Sequence, residues 1–269
     1  MSRVLSRSRG GPGEFGRRSS PVRGFTLLEI LVVFAVIAIL LAVILPSLGR
    51  GVEAARAVRC QTSLRSIAFD FAVFADDGLH PWRGQDEARS PGRFRLETFI
   101  DSQYAIDEFW SHGETGTMVK SPDKGVDDPM RCASVAGDVV LTRGRPCTSG
   151  GVGPAQNISY GFNMRLSRPD PVDGSRVRSV LLDQRILAHG SVPLVWDIDG
   201  VEAYRMNRSV NPTFTCPPDG VPGPYASGAL WWPGQRHAKA LNAAFVDGSV
   251  RSSVQPLAER GWRWDYRAR

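Results

Sequence analysis

Residues 25–45 form an apolar run of 21 residues in which Glu29 is the single charged side chain. At a rise of about 1.5 Å per residue, a helix of this length spans about 30 Å, the thickness of one hydrocarbon core. The run is longer than the apolar part of a signal peptide, which has about 7–15 residues. We therefore expect a membrane-spanning helix, followed by a domain outside the membrane.

The positive charge of the chain is concentrated ahead of this run. Six arginines and one acid, Glu14, occupy residues 1–24, so this segment carries +5 of the net charge of +6. The rest of the chain holds 27 basic and 26 acidic residues and is nearly neutral. A basic flank marks the cytoplasmic side of a span, which places the C-terminal part outside the cytoplasm. A nucleic-acid partner is not expected, because the folded domain has no basic excess.

A helical pattern continues beyond the apolar run. Leu48, Val52 and Ala55 are spaced by four and three residues. The same spacing continues in five further apolar residues: Cys60, Leu64, Ile67, Phe71 and Phe74. This periodicity predicts an amphipathic helix that packs on the following domain and ends near residues 76–78. Pro46 is expected to kink the helix at the membrane exit.

The segment Gly24-Phe-Thr-Leu-Leu-Glu29, between a basic leader and an apolar span, resembles the processing site of type IV prepilins and type II secretion pseudopilins. The resemblance implies cleavage after Gly24 by a prepilin peptidase and N-methylation of the new terminal residue, Phe25. Glu29 matches the acidic residue that these proteins use in filament assembly, and Pro46 falls where many pilins have a helix-bending proline.

The same resemblance implies where such a chain works and with what. It implies a single-pass protein of the bacterial inner membrane whose C-terminal domain lies outside the cytoplasm. The implied partners are the membrane, a secretion or pilus assembly platform, and other pilin-like subunits in a homo- or hetero-oligomeric filament. The implied function is therefore structural, as a subunit of a pseudopilus or a pilus-like filament, and not enzymatic.

A carboxylate inside an apolar run has a physical explanation in such a filament. Cleavage creates an amine at Phe25, four residues before Glu29. The Glu29 carboxylate of an incoming subunit can pair with the Phe25 amine of its neighbour, and the pairing offsets the desolvation of both charges. The alternative is an interfacial glutamate that extends its carboxylate to the membrane surface.

Segments of the C-terminal part add to the resemblance. Nine residues separate His237 from Asp247-Gly248. This spacing resembles the processing-associated H-x9-DG signature that accompanies prepilin N-termini. Asp-Gly between apolar runs predicts a β-hairpin, with a type I′ turn at Asp247 and Gly248. His237 is expected to cap or hydrogen-bond that hairpin, and a catalytic or metal-binding role for it is not expected.

The pattern as a whole predicts an α+β, pilin-like fold, with the amphipathic helix on one side of an antiparallel β-sheet. The predicted organisation has four parts. They are a cleaved basic leader at 1–24, a transmembrane and assembly helix at 25–46, the amphipathic helix of the ectodomain at 47–77, and a loop-rich β ectodomain at 78–269.

Four cysteines, at positions 60, 132, 147 and 216, would all lie outside the cytoplasm, where disulfides persist. Three connectivities are possible if all four pair. We expect Cys132–Cys147 first, because both lie in a loop-rich region and are close in sequence. Cys60 lies on the apolar helix face and is also interpretable as a buried small hydrophobic residue.

Enzymatic and metal-binding functions find little support in the sequence. It contains no G-x-S-x-G, H-E-x-x-H or Walker motif, and its four histidines lack metal-ligand spacing. No cofactor is expected. Calcium is conceivable at Asp197 and Asp199, but the EF-hand spacing is absent and a role in a turn is favoured.

One alternative stays open at this point. The chain could be a secreted or membrane-anchored binding or enzymatic domain with an ordinary signal or anchor segment. Ser47-Leu-Gly49 would then serve as a signal-peptidase site. The mature N-terminus distinguishes the two hypotheses.

Overall fold

The computed structural model describes residues 24–80, 82–83, 90–104, 131–135, 159–167, 180–200, 202, 214–220, 226, 228 and 230–266. The chain divides into two compact units, with the boundary between Gly49 and Arg50. Residues 27–49 of helix α1 (Leu27–Ala75) lie in the first unit, and its residues 50–75 lie in the second. The predicted leader, 1–24, lies outside the described residues except for Gly24.

The first unit consists, in its described part, of the apolar half of α1. Its side chains are exposed throughout, including large apolar ones such as Phe34 and Leu40. Helix α1 is long and apolar enough to cross a membrane. Together these features confirm the predicted long apolar helix near the N-terminus.

The second unit begins with the remainder of α1, which buries one face. The buried residues of that face are Cys60, Leu64, Ile67, Ala68, Phe71, Phe74 and Ala75. This confirms the predicted apolar face from residue 60 onward. By contrast, Leu48, Val52 and Ala55 are exposed, so the buried face does not extend to them as the spacing suggested.

The helix ends where the sequence predicted, and Arg83 caps it. The last carbonyl groups of a helix have no partner within the helix. Arg83 donates to the carbonyl oxygens of Phe74 and Ala75 at 2.7 and 2.9 Å, and to Asp77 Oδ1 at 2.6 Å. Its guanidinium is buried, and its positive charge lies at the negative end of the helix dipole.

A five-stranded sheet forms the centre of the second unit. Its strands are β2 (Tyr160–Asn163), β4 (Pro193–Asp197), β5 (Phe214–Thr215), β6 (Leu241–Phe245) and β7 (Val250–Ser253). Their order in the sheet is β5-β2-β4-β6-β7. All neighbouring pairs are antiparallel except β2 and β5, which run parallel. The layout is therefore α+β with a mainly antiparallel sheet, as predicted.

Three smaller pieces complete the described fold. Strands β1 (Arg93–Phe94) and β3 (Leu182–Asp183) form an antiparallel pair. Helix α2 (Leu96–Tyr104) follows β1 directly. Short 3₁₀ turns are present at Met164–Leu166, Gln184–Ala188 and Pro256–Ala258.

The sheet separates two apolar clusters. On one side Val195, Ala244 and Val246 pack in the cluster that contains the buried face of α1. Alternate residues of the same strands, such as Trp196 and Phe245, belong to a second cluster rich in tryptophan. Because successive side chains of a strand point to opposite faces, strands β4 and β6 each contribute to both clusters.

Candidate functional site

The predicted cleavage junction is accessible in the structure. Gly24, Phe25 and Thr26 precede α1 and are not helical. The side chain of Phe25 is 82% exposed, and no atom lies within 4 Å of a Cβ placed on Gly24. The junction therefore offers a non-helical, unobstructed backbone to a protease.

Helix α1 opens with a capping box that was not predicted from the sequence. The Thr26 hydroxyl accepts from the Glu29 N–H at 3.2 Å, and the Glu29 carboxylate accepts from the Thr26 N–H at 2.7 Å. The hydroxyl also donates to the same carboxylate, at 3.0 Å. A threonine followed three residues later by a glutamate ahead of an apolar run is the sequence signal for this motif.

Glu29 thus has a role within a single chain. Its carboxylate satisfies the Thr26 N–H at the helix start, where backbone N–H groups have no partner within the helix, and its negative charge is favourable there. The predicted pairing of Glu29 with the Phe25 amine of a neighbouring subunit stays a prediction.

Pro46 lies inside α1. It has no N–H to donate to the carbonyl group of Ala42, four residues earlier. The hydroxyl of the next residue, Ser47, donates to the Ile44 carbonyl oxygen at 2.8 Å and satisfies one acceptor of this turn. The predicted kink at Pro46 stays a prediction.

His237 is buried against a disulfide. Its Nε2 lies 3.3 Å from Cys132 Sγ, and its Nδ1 lies 3.7 Å from Glu53 Oε1 on α1. The Glu53 carboxylate also accepts from the Ser134 hydroxyl at 3.2 Å. Burial lowers the pKa of His237, the nearby Arg236 charge lowers it further, and Glu53 opposes both effects.

The observed disulfide corrects the predicted connectivity. Cys132 is bonded to Cys60, at a Cα–Cα distance of 5.1 Å, so the predicted Cys132–Cys147 pair is wrong. The physical reason is that the buried face of α1 brings Cys60 to residues 131–135, across a separation of 72 residues. Closeness in sequence favoured Cys147, which lies outside the described residues. Cys60 is a cross-link and not merely a small buried side chain.

The Asp-Gly turn has another geometry than predicted. Gly248 has a φ of +83°, but Asp247 is not among the described residues with positive φ. Gly248 N–H donates to the Phe245 carbonyl at 2.9 Å, and Phe245 N–H donates to the Ser249 carbonyl at 2.8 Å. This is a type I turn followed by a left-handed glycine, the three-residue hairpin loop, rather than a type I′ turn. The predicted hairpin itself is confirmed, since β6 and β7 pair across it.

A type I′ turn occurs instead at His237. Ala238 and Lys239 have φ values of 51° and 61°, and Ala240 N–H donates to the His237 carbonyl at 2.9 Å. A left-handed conformation costs an L-residue about 1–2 kcal/mol. The His237 ring faces Cys132 and Glu53, so it does not cap the Asp247-Gly248 turn as expected.

A buried polar network surrounds Asp197 at the end of β4. Its Oδ2 accepts from the backbone N–H and the side-chain amide of Asn242, at 3.2 and 2.9 Å. Arg236 Nη2 lies 3.9 Å from Oδ1, and Gln61 of α1 donates to Asn242 Oδ1 at 3.3 Å. Burial raises the pKa of Asp197 to about 6, although Arg236 and Asn242 favour its charged form.

The two carboxylates considered for calcium have separate partners. Asp197 is buried within this network, whereas Asp199 is exposed and accepts from the Glu202 N–H at 3.1 Å. The expectation that no cofactor is bound, and that this strand end has a role in a turn, stays a prediction.

Comparison with known proteins identifies the N-terminal segment. Residues 19–45 match the family model described as the prokaryotic N-terminal methylation motif. No curated protein matches the chain. No solved structure matches it either. The match covers the predicted cleavage junction, the capping box and most of the apolar half of α1, so the chain carries an N-terminal methylation motif of the prepilin and pseudopilin type.

Proposed function

We propose that this chain is a structural subunit of a type II secretion pseudopilus or a type IV pilus-like filament. A prepilin peptidase of the bacterial inner membrane removes residues 1–24, and the new N-terminus at Phe25 is methylated. The mature chain is held by a single span, with its C-terminal domain outside the cytoplasm, until it enters the filament through an assembly platform. The observation that carries this proposal is the match of residues 19–45 to the N-terminal methylation motif.

The accessibility of the junction supports the processing step. A peptidase needs access to the backbone around Gly24, and residues 24–26 precede the helix and are exposed. The helix starts immediately afterwards, with its first turn fixed by Thr26 and Glu29. Cleavage at Gly24 therefore leaves the helix cap intact.

The surface of α1 in the second unit supports the assembly step. Val52, Val58 and Phe69 are large apolar side chains, exposed by 43, 62 and 65%. At 100° per residue, Val58 and Phe69 project away from the face that packs on the sheet, whereas Val52 lies at the side of that face. A neighbouring helix would bury these side chains and gain about 25 cal/mol for each Å² of apolar surface removed from water.

The mature N-terminus tests the proposal directly. Mass spectrometry of the membrane-bound chain is expected to find methylated Phe25 as the first residue. A first residue of Arg50 would support a signal-peptidase site after Gly49 and a released domain. An intact Met1 would support an unprocessed membrane anchor.

A variant of Gly24 tests the recognition of the junction. Gly24→Phe is expected to block removal of the leader, although the substitution meets no neighbouring atom within the chain. The effect would therefore report recognition by the peptidase and not misfolding. Migration of this variant as mature protein would refute the assigned cleavage site.

Variants of Glu29 separate its two roles. Glu29→Gln removes the charge but keeps an oxygen that can accept from the Thr26 N–H, so the helix cap is retained. Leaving the Phe25 amine buried without its counter-charge costs about 3–5 kcal/mol, so the yield of sheared filaments is expected to collapse. The matched control, Thr26→Val, weakens the cap and keeps the charge, and it should retain most of the yield. Equal filament yields from Glu29→Gln and the unchanged chain, at equal membrane levels, would eliminate the ion-pair mechanism.

A further inference from the structure

Three side chains with soft or borderline metal-ligating atoms meet in the interior of the second unit. Cys60 comes from α1, Cys132 from residues 131–135, and His237 from the type I′ turn before β6. Their ligand atoms all lie within 4.8 Å of one another, and all three residues are buried. No spacing in the sequence points to this cluster, because its members are separated by 72 and 105 residues.

The surroundings of the cluster resemble the outer shell of a metal site. The ring nitrogen of His237 that faces away from Cys132 lies 3.7 Å from the Glu53 carboxylate and has no hydrogen-bond partner among the described residues. A metal-bound histidine commonly presents its second ring nitrogen to such a carboxylate. In addition, the Ser134 N–H lies 3.5 Å from Cys132 Sγ, where it can stabilise a thiolate.

From this geometry we propose that the reduced protein binds one Zn²⁺-like divalent transition-metal ion through Cys60, Cys132 and His237. Two thiolates and one imidazole suit zinc, and they leave a fourth tetrahedral position for water or another donor. The Cys60–Cys132 disulfide and the metal site are therefore two alternative states of the same pair of sulfur atoms.

Reduction of the disulfide converts the oxidised state into the state that binds metal. A dithiol reductant supplies two electrons and two protons to the Cys60–Cys132 bond and is itself oxidised to a disulfide. The bond opens to two thiols. Binding of the divalent ion then releases the two thiol protons, because a thiolate is the form that ligates metal.

The position of the cluster gives the exchange a structural consequence. Either state connects α1 to residues 131–135, so the cross-link survives a loss of oxidising conditions when metal is present. The metal state adds His237, and with it the turn that leads into the central strand β6. Metal binding would thus tie together three parts of the fold where the disulfide ties two.

Cobalt substitution in the full-length chain tests the proposal. The starting protein is the Cys147→Ser/Cys216→Ser double variant in detergent micelles, so that Cys60 and Cys132 supply the only sulfhydryl groups. After reduction with a dithiol and its removal, one equivalent of Co²⁺ is expected to produce thiolate-to-cobalt charge-transfer absorption and tetrahedral d–d bands. Zn²⁺ should displace the cobalt at one ion per chain, and the oxidised protein should show neither absorption.

Matched histidine and glutamate variants assign the ligands. His237→Gln is expected to weaken cobalt binding at least tenfold and to alter the d–d bands, whereas the control His189→Gln should leave both unchanged. Glu53→Gln should reduce affinity by about 10–100-fold while keeping the band positions, as expected for a group that orients the ligand.

Three outcomes of these metal-binding experiments decide the proposal. A reduced chain that binds no cobalt overturns it, whether the chain stays folded by circular dichroism or unfolds. A reduced chain that unfolds and refolds on addition of Zn²⁺ supports it. Unchanged cobalt spectra in His237→Gln would remove the histidine from the site and overturn the assignment.

Discussion

The Cys60–Cys132 disulfide is expected to supply a large share of the stability of the second unit. It joins residues 72 positions apart and so restricts the unfolded chain over a long loop. The loop-closure relation gives about 4 kcal/mol for a loop of this length. A domain has a total stability of about 5–15 kcal/mol, so removing the bond should take away about a quarter or more of it.

Urea unfolding of the full chain in detergent measures this loss. The clustered tryptophans of the second unit, among them Trp196, Trp262 and Trp264, provide a fluorescence signal for its unfolding. The expected result for Cys60→Ala/Cys132→Ala is a loss of about 4 kcal/mol relative to the oxidised chain. Each single variant should lose the same amount as the double variant, because either one abolishes the same bond.

The control is Cys147→Ala, which should leave the unfolding free energy of the oxidised chain unchanged. A peptide map under non-reducing conditions should contain a fragment that joins Cys60 to Cys132. If Cys147→Ala destabilises the chain as much as Cys132→Ala while Cys60→Ala has no effect, the assigned bond is refuted. If the double variant loses less than about 1 kcal/mol of unfolding free energy, the loop-closure argument is refuted instead.

Three further predictions concern groups inside the second unit. Burial raises the pKa of Asp197 from 3.8 to about 6, so the folded chain holds this proton more tightly than the unfolded chain. The resulting stabilisation is present at low pH and is lost as the pH rises between these two values. Asp197→Asn should therefore flatten the pH dependence of unfolding over this range, by up to about 3 kcal/mol. Ala238→Gly removes the cost of holding an L-residue in the left-handed conformation, and it should raise the unfolding free energy by up to about 1 kcal/mol. The control, Ala240→Gly, should lower the unfolding free energy. Arg83→Ala leaves buried helix-end carbonyls without their donor and should cost about 2–4 kcal/mol by urea unfolding, while Arg65→Ala on the exposed helix face should cost less than about 0.5.

Local periodicity predicted the parts of the fold that depend on neighbouring residues. The spacing of Cys60, Leu64 and Ile67 identified the buried face of α1, because a helix places residues three and four apart on one side. The hairpin at Asp247-Gly248 followed from residue types that favour a turn. The same local rule failed for Leu48 and Val52, since spacing shows which residues share a face but not whether another element covers it.

Contacts between distant segments could not be predicted in the same way. The Cys60–Cys132 bond and the position of His237 depend on how the sheet packs on α1, and no single-sequence pattern encodes that packing. The parallel β2–β5 pair depends in the same way on contacts between distant segments. In contrast, the Thr26–Glu29 capping box has a clear local signal, a threonine followed three residues later by a glutamate.

The nine-residue spacing between His237 and Asp247-Gly248 now has a structural meaning. It contains the rest of the type I′ turn, the whole of β6, and the first residue of the hairpin loop. At about 3.4 Å per residue, β6 separates the two ends by about 17 Å. His237 and Asp247-Gly248 therefore cannot form one site.

His237 and Asp247-Gly248 mark the two ends of strand β6, whose length sets the spacing between them. Inserting a residue into β6 would turn alternate side chains such as Phe245 to the opposite face. A chain with one inserted alanine after Ala243 should consequently fail to fold, whereas an alanine inserted in the exposed loop, after Gly248, should be tolerated.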